Sequence, residues 1–178
     1  MKQKKSHLKG FTLVELLAVI AITGVIGSLM FGILFATLQG ANKSTSLDDI
    51  SQNGNFVLAQ IARVVRYSNS LTDPATCYSG PTPIPVTQSS ITVVASDNLP
   101  TTFACDTSGG AIASNGANLL DPNQVVVTAC SFTCTQNTAF DSPSITINFT
   151  LGKKGANNLV ENSSTRSFQT SVTLRNIR

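Results

Sequence analysis

Few side chains in this 178-residue chain could do chemistry, and the best placed of them is a single glutamate. Glu15 follows Gly10–Phe11–Thr12–Leu13–Val14, and no charged side chain comes after it from Leu16 through Asn42. A carboxylate just inside an apolar span is expensive when ionised and alone, and such groups are usually functional. The other candidates carry less. His7 is the only histidine and lies in a basic leader with Lys2, Lys4, Lys5 and Lys9. Without that leader the chain has no imidazole for acid–base or triad chemistry. Asp97, Asp106, Asp121 and Asp141 sit in loop-like sequence and read as turn residues rather than a calcium site. Gly109–Gly110 has no downstream Lys-Ser/Thr and no strand-to-helix setting, so it is not a phosphate loop. Asn42–Lys43–Ser44, Asn148–Phe149–Thr150 and Asn162–Ser163–Ser164 match the glycosylation pattern by chance in a chain rich in Asn and Ser. No catalytic constellation is left. The chain reads as a non-enzyme that needs no cofactor.

The four cysteines, Cys77, Cys105, Cys130 and Cys134, all lie well downstream of the apolar span. An even number of cysteines in an oxidising compartment predicts two disulfides. The alternative is a Cys₄ zinc site, but the close pair here is CxxxC and not the usual CxxC. Extended residues four apart are about 13 Å distant, too far for a disulfide. A turn at Ser131–Phe132–Thr133 would bring Cys130 to Cys134, and the favoured pairing is Cys130–Cys134 with Cys77–Cys105.

These groups must be positioned by two kinds of element. The apolar stretch is long enough for a transmembrane helix. It is roughly twice the 7–15 residues of a signal peptide's apolar region, and the glycine precedes it instead of following it. The leader lysines favour the cytoplasmic side, which places the C-terminal part outside the membrane. The helix should continue to about Tyr67, because Leu47, Ile50, Val57, Ile61 and Val64 share one face. Gly54 falls on that face, where a missing side chain would let a sheet approach closely. Ser68 to Ser90, with Pro81, Pro83 and Pro85, reads as a loop. Strands follow at Ile91–Ala95, Thr101–Cys105, Val125–Cys130, Ser144–Leu151 and Ser167–Asn176, the last two forming an antiparallel hairpin. The class is α+β: a long N-terminal helix, half membrane-spanning and half amphipathic, packed on an antiparallel sheet. The domains are a leader at 1–10, a transmembrane helix at 11–38 and an exported head at 39–178.

Removing the four leader lysines from the 12 Lys and Arg leaves eight against nine acids, so no nucleic-acid partner is expected.

Gly10–Phe11–Thr12–Leu13–Val14–Glu15, between basic leader and apolar helix, resembles the processing site of type IV prepilins and pseudopilins. The resemblance covers about the first forty residues. It implies cleavage by prepilin peptidase between Gly10 and Phe11, N-methylation of Phe11, and a role for Glu15 in assembly. There the Glu15 carboxylate would meet the methylated amino terminus of a neighbouring subunit. The ending Ser167–Asn176 also looks like the final strand of minor pilins and pseudopilins of the J/W type. Gly24, Gly27, Ser28 and Gly32 permit close helix contact, and Gly32 stands where many major pilins have a proline. The implied function is a structural subunit, and a minor one, of a type IV pilus-like or type II secretion pseudopilus filament. Its partners would be other pilin subunits, prepilin peptidase and the inner membrane, with a surface or periplasmic filament as destination. The alternative is a membrane-tethered binding module, an adhesin or DNA-uptake component. Eight basic and eight acidic side chains after Asn42 do not favour DNA.

Overall fold

The computed structural model describes residues 10–75, 77–78, 85–138, 140–155 and 164–175. A helix, α1 (Leu13–Arg66), comes first. Among the described residues nine strands follow: β1 (Ser68–Asp73), β2 (Val86–Gln88), β3 (Ser90–Ala95), β4 (Pro100–Asp106), β5 (Ala111–Ser114), β6 (Ala117–Asn118), β7 (Val125–Thr135), β8 (Ser144–Lys153) and β9 (Thr165–Thr173). The chain divides into two compact units, one ending at Ala41 and the other beginning at Asn42, so α1 contributes to both.

In the first unit every large apolar side chain from Leu13 to Leu38 is exposed. A helix that is apolar all round needs an apolar surrounding, and α1 is long and apolar enough to cross a membrane. Its few hydroxyls are satisfied on the helix itself. Thr23 donates to the Val19 carbonyl at 2.8 Å, Ser28 to Val25 at 2.8 Å and Thr37 to Ile33 at 2.8 Å. No donor is left to be stranded in hydrocarbon.

The second unit is the head. Here α1 buries Ser46, Ile50, Gly54, Val57, Ile61 and Val65, a stripe spaced three or four residues apart. Val65, not the expected Val64, completes the stripe, and Leu47 and Val64 flank it half-buried. The strands form two antiparallel sheets where the sequence suggested one. Sheet A has the order β1-β3-β4-β5-β6, and sheet B the order β2-β7-β8-β9. Ile91, Val93, Phe103 and Ile112 from sheet A join Ile145, Ile147, Phe149 and Leu151 from sheet B in one core with the helix stripe. Gly54 does what its place on the stripe suggested. A Cβ there would overlap the Phe168 ring of β9, which stacks on Phe149 with centroids 5.2 Å apart.

The five expected strands are present, the last as Thr165–Thr173 with Asn176 outside the described residues, and the larger differences have physical reasons. β7 runs on to Thr135, five residues beyond the expected end, because its alternation changes phase at a bulge. The register with β8 skips Thr128, so Val127 and Phe132 both point into the core. β1 and β2 lie in the stretch read as a loop. β1 (SNSLTD) has no apolar alternation and exists by pairing with β3. β5 and β6 form a short hairpin across Asn115–Gly116, both at positive φ, 50° and 83°. That Asn-Gly pair is the usual signal for such a turn.

Both disulfides differ from the favoured pairing: Cys77 bonds Cys134, and Cys105 bonds Cys130, with Cα–Cα distances of 5.4 and 5.7 Å. Ser131–Phe132–Thr133 does not turn but continues β7. Four residues of strand keep Cys130 and Cys134 on one face yet far apart. Each therefore reaches a different neighbour. Cys130 ties sheet B to β4 of sheet A, and Cys134 ties β7 to the segment after β1. All four thiols are used, so none serves as a zinc ligand.

Candidate functional site

The start of α1 is built locally. Thr12 stands at the N-cap, and Glu15 three residues on turns its carboxylate back. The Thr12 backbone N–H donates to Glu15 Oε2 at 2.9 Å and the Thr12 hydroxyl donates to the same oxygen at 3.0 Å. In return the Glu15 N–H donates to Thr12 Oγ1 at 3.3 Å. This reciprocal capping box satisfies donors that the first helical turn otherwise leaves open. The first helical bond runs from the Leu16 N–H to the Thr12 carbonyl at 3.2 Å. Phe11, just before the cap, lines an apolar crevice with Leu16, Val19 and Ile20. Phe11 and Leu16 hold the two positions of a hydrophobic staple.

Gly10 and Phe11 are exposed and precede the helix, so the bond between them lies in non-helical chain open to an enzyme. Glu15 is one helical turn further on. Both of its contacts fall on Oε2, which leaves Oε1 without a hydrogen-bond partner among the described residues. The negative carboxylate also suits the positive end of the helix dipole. Gly10, Phe11 and Glu15 stand out in the sequence, whereas Thr12 gains its role only as the cap. Its signal was present as the T-x-x-E spacing of a capping box. The leader residues Lys2, Lys4, Lys5, His7 and Lys9 lie outside the described residues.

The other candidates are used within their own turns. Asp97 Oδ1 accepts from the Leu99 N–H at 3.0 Å, and Asp121 Oδ1 from the Asn123 N–H at 2.9 Å. Asp106 Oδ1 accepts from the Ser108 hydroxyl at 2.6 Å and the Gly109 N–H at 2.7 Å. Those two donors hold the Asp106 carboxyl below its usual value. They also occupy an amide of Gly109–Gly110 that a phosphate would need. Among the described residues no three His, Cys, Asp or Glu side chains gather as a metal site.

The family model for the prokaryotic N-terminal methylation motif matches residues 5–31. Neither a curated protein nor a solved structure matches the chain. The matched stretch holds Gly10, Phe11, Thr12 and Glu15, and with the long apolar N-terminal helix it supports a type IV pilin-like or pseudopilin-like protein.

Proposed function

We propose that the chain is a non-catalytic structural subunit, and a minor one, of a type IV pilus-like filament or a type II secretion pseudopilus. Glu15 carries this reading: it sits in the first turn of a helix whose first half is apolar, one turn after an exposed Gly10–Phe11 bond. Cleavage of that bond by prepilin peptidase removes the leader lysines and creates an α-amino group at Phe11, which is then methylated. In hydrocarbon the amino group of one subunit and the Glu15 carboxylate of its neighbour each relieve part of the other's desolvation penalty. Apolar helices slide freely past one another, whereas a paired charge sets their axial stagger. The membrane half of α1 therefore anchors the subunit before assembly and lines the filament afterwards, with the head outside. Mass spectrometry of the mature N-terminus tests the processing step and should find methylated Phe11. A mature chain still beginning at Met1 overturns the proposal.

A further inference from the structure

A strand at the edge of a sheet offers unpaired N–H and C=O groups, and folds normally blunt such edges. Three of the four edges in the head are blunted. β1 has two register irregularities, β2 is three residues long and β6 is two. β9 is different: it is nine residues long, contains no proline and pairs with β8 in unbroken register from Thr165 to Thr173. Among the described residues no strand pairs with its other side.

That side is flanked by cations. Arg66, Tyr67, Arg175 and the β9 residues Ser171–Thr173 line a crevice of about 480 Å³. Arg66 and Tyr67 also line an adjoining crevice of about 640 Å³ with Arg63, Ala59 and Ala62. The three arginines and Tyr67 are exposed. Among the described residues the one salt bridge is Lys153–Asp49, so none of these arginines has an acidic partner. Arg63 and Arg66 lie in the last turn of α1, where they complement the helix dipole. The dipole does not explain Arg175, which follows β9 and lines the same crevice as Arg66.

We propose that this groove receives an extended acidic peptide segment of a partner protein, added to sheet B beside β9 as a fifth strand. Main-chain bonds to the open edge supply affinity, and alternate side chains supply selection. Arg66 and Arg175 both line the crevice beside Ser171–Thr173, where they can meet acidic side chains of the added strand. Guanidinium groups take carboxylates through paired hydrogen bonds. The Tyr67 ring gives the intervening apolar side chains a wall. A nucleic acid matches this site less well, because its phosphates offer nothing to pair with a row of backbone amides and carbonyls. The inference uses no residue before Ala59 and stands apart from the filament reading.

The full-length protein in detergent micelles should bind a nine-residue peptide of alternating Glu and Val, and salt should weaken the complex. Arg66→Gln with Arg175→Gln should weaken it by about ten-fold, and a Lys/Val peptide should not bind. Methylating the backbone nitrogens of either the Glu or the Val residues should abolish binding in one case and spare it in the other, since a strand pairs through alternate residues. This last comparison uses the unaltered protein and does not depend on how the arginine variant folds. The proposal is overturned if the Glu/Val peptide fails to bind at millimolar concentration, or if the Lys/Val peptide binds equally. It is also overturned if both methylated peptides bind alike, or if a DNA oligonucleotide displaces the peptide better than the unlabelled peptide does.

Discussion

Residues 13–41 and 42–66 belong to one helix, yet the first stretch has no buried residue and the second buries a full stripe. The glycines make the contrast concrete. A Cβ at Gly24, Gly27 or Gly32 would meet nothing within 4 Å, whereas one at Gly54 would overlap the Phe168 ring. The head half of the helix is completed by its own chain. Among the described residues the first half of the helix buries no apolar side chain, and a helix that is apolar all round needs an apolar surrounding. A helix designed for both settings keeps its polar groups quiet in one half and uses them in the other. Thr23, Ser28 and Thr37 bond back to their own helix. Asp49, Ser51 and Asn53 instead reach Lys153, Arg166 and Gln124 of the head, at 2.6, 2.6 and 3.3 Å.

If this division holds, substitutions in one half should leave the other half's property untouched. The largest effect is expected from Glu15→Ala. Removing the carboxylate takes a costly group out of the bilayer, so membrane insertion should be at least as good. Entry into filaments should be lost, with the head intact and disulfide-bonded. Comparing membrane and sheared-filament fractions decides this, and equal incorporation of variant and parent would remove Glu15 from the assembly mechanism.

The disulfides act on the opposite side of the comparison. Opening Cys77–Cys134, which spans 57 residues, should cost the head about 4 kcal/mol, and opening Cys105–Cys130, which spans 25, about 3.5 kcal/mol on the chain-entropy relation. Thermal denaturation of Cys→Ser variants would show the ranking, and peptide mapping without reductant should recover Cys77 joined to Cys134. Membrane insertion should not change in either variant.

A matched pair of glycine substitutions sharpens the contrast within α1. Gly54→Leu must displace a ring that is buried and stacked, and should destabilise the head by about 2 kcal/mol through overpacking. Gly27→Leu should leave head stability unchanged. A head melting curve that shifts equally in both would show that the two halves are not independent.

The smallest effect concerns acid. The Asp106 carboxyl is held below its usual value by Ser108 and Gly109. A depressed folded value means that its stabilising contribution is present above the unfolded value and disappears as pH falls through the folded one. Asp106→Asn should therefore lower the head's stability slightly at neutral pH, match the parent in acid, and so flatten the acid limb of the profile. A variant with an unchanged acid limb would show that the turn does not depend on the charge.

What was readable without coordinates is the part of the molecule whose physics is local. Apolar run length, one acid near its start, basic flank and the three-and-four spacing from Ile50 to Ile61 all depend on residues close in the chain. Even the overlooked capping box, Thr12 with Glu15, is a contact over three residues and was available in the spelling. The Ile145–Leu151 alternation likewise announced its own strand, and Gly54 its own close approach.

Tertiary structure decided everything that depends on which distant segments meet. The cysteine pairing could not be read because Cys130 and Cys134 are neighbours in sequence, while the strand between them holds them apart and the partners come from 25 and 57 residues away. The strand from Val125 was expected to stop at Cys130 with a turn after it, and only its long pairing with β8, in register on both sides of the bulge at Thr128, carries it to Thr135. β1 has no apolar pattern of its own and is a strand only because β3 lies beside it. The open edge of β9 is a matter of sheet order. No residue in Thr165–Thr173 says that no described strand pairs on its far side; only the placement of the other strands does.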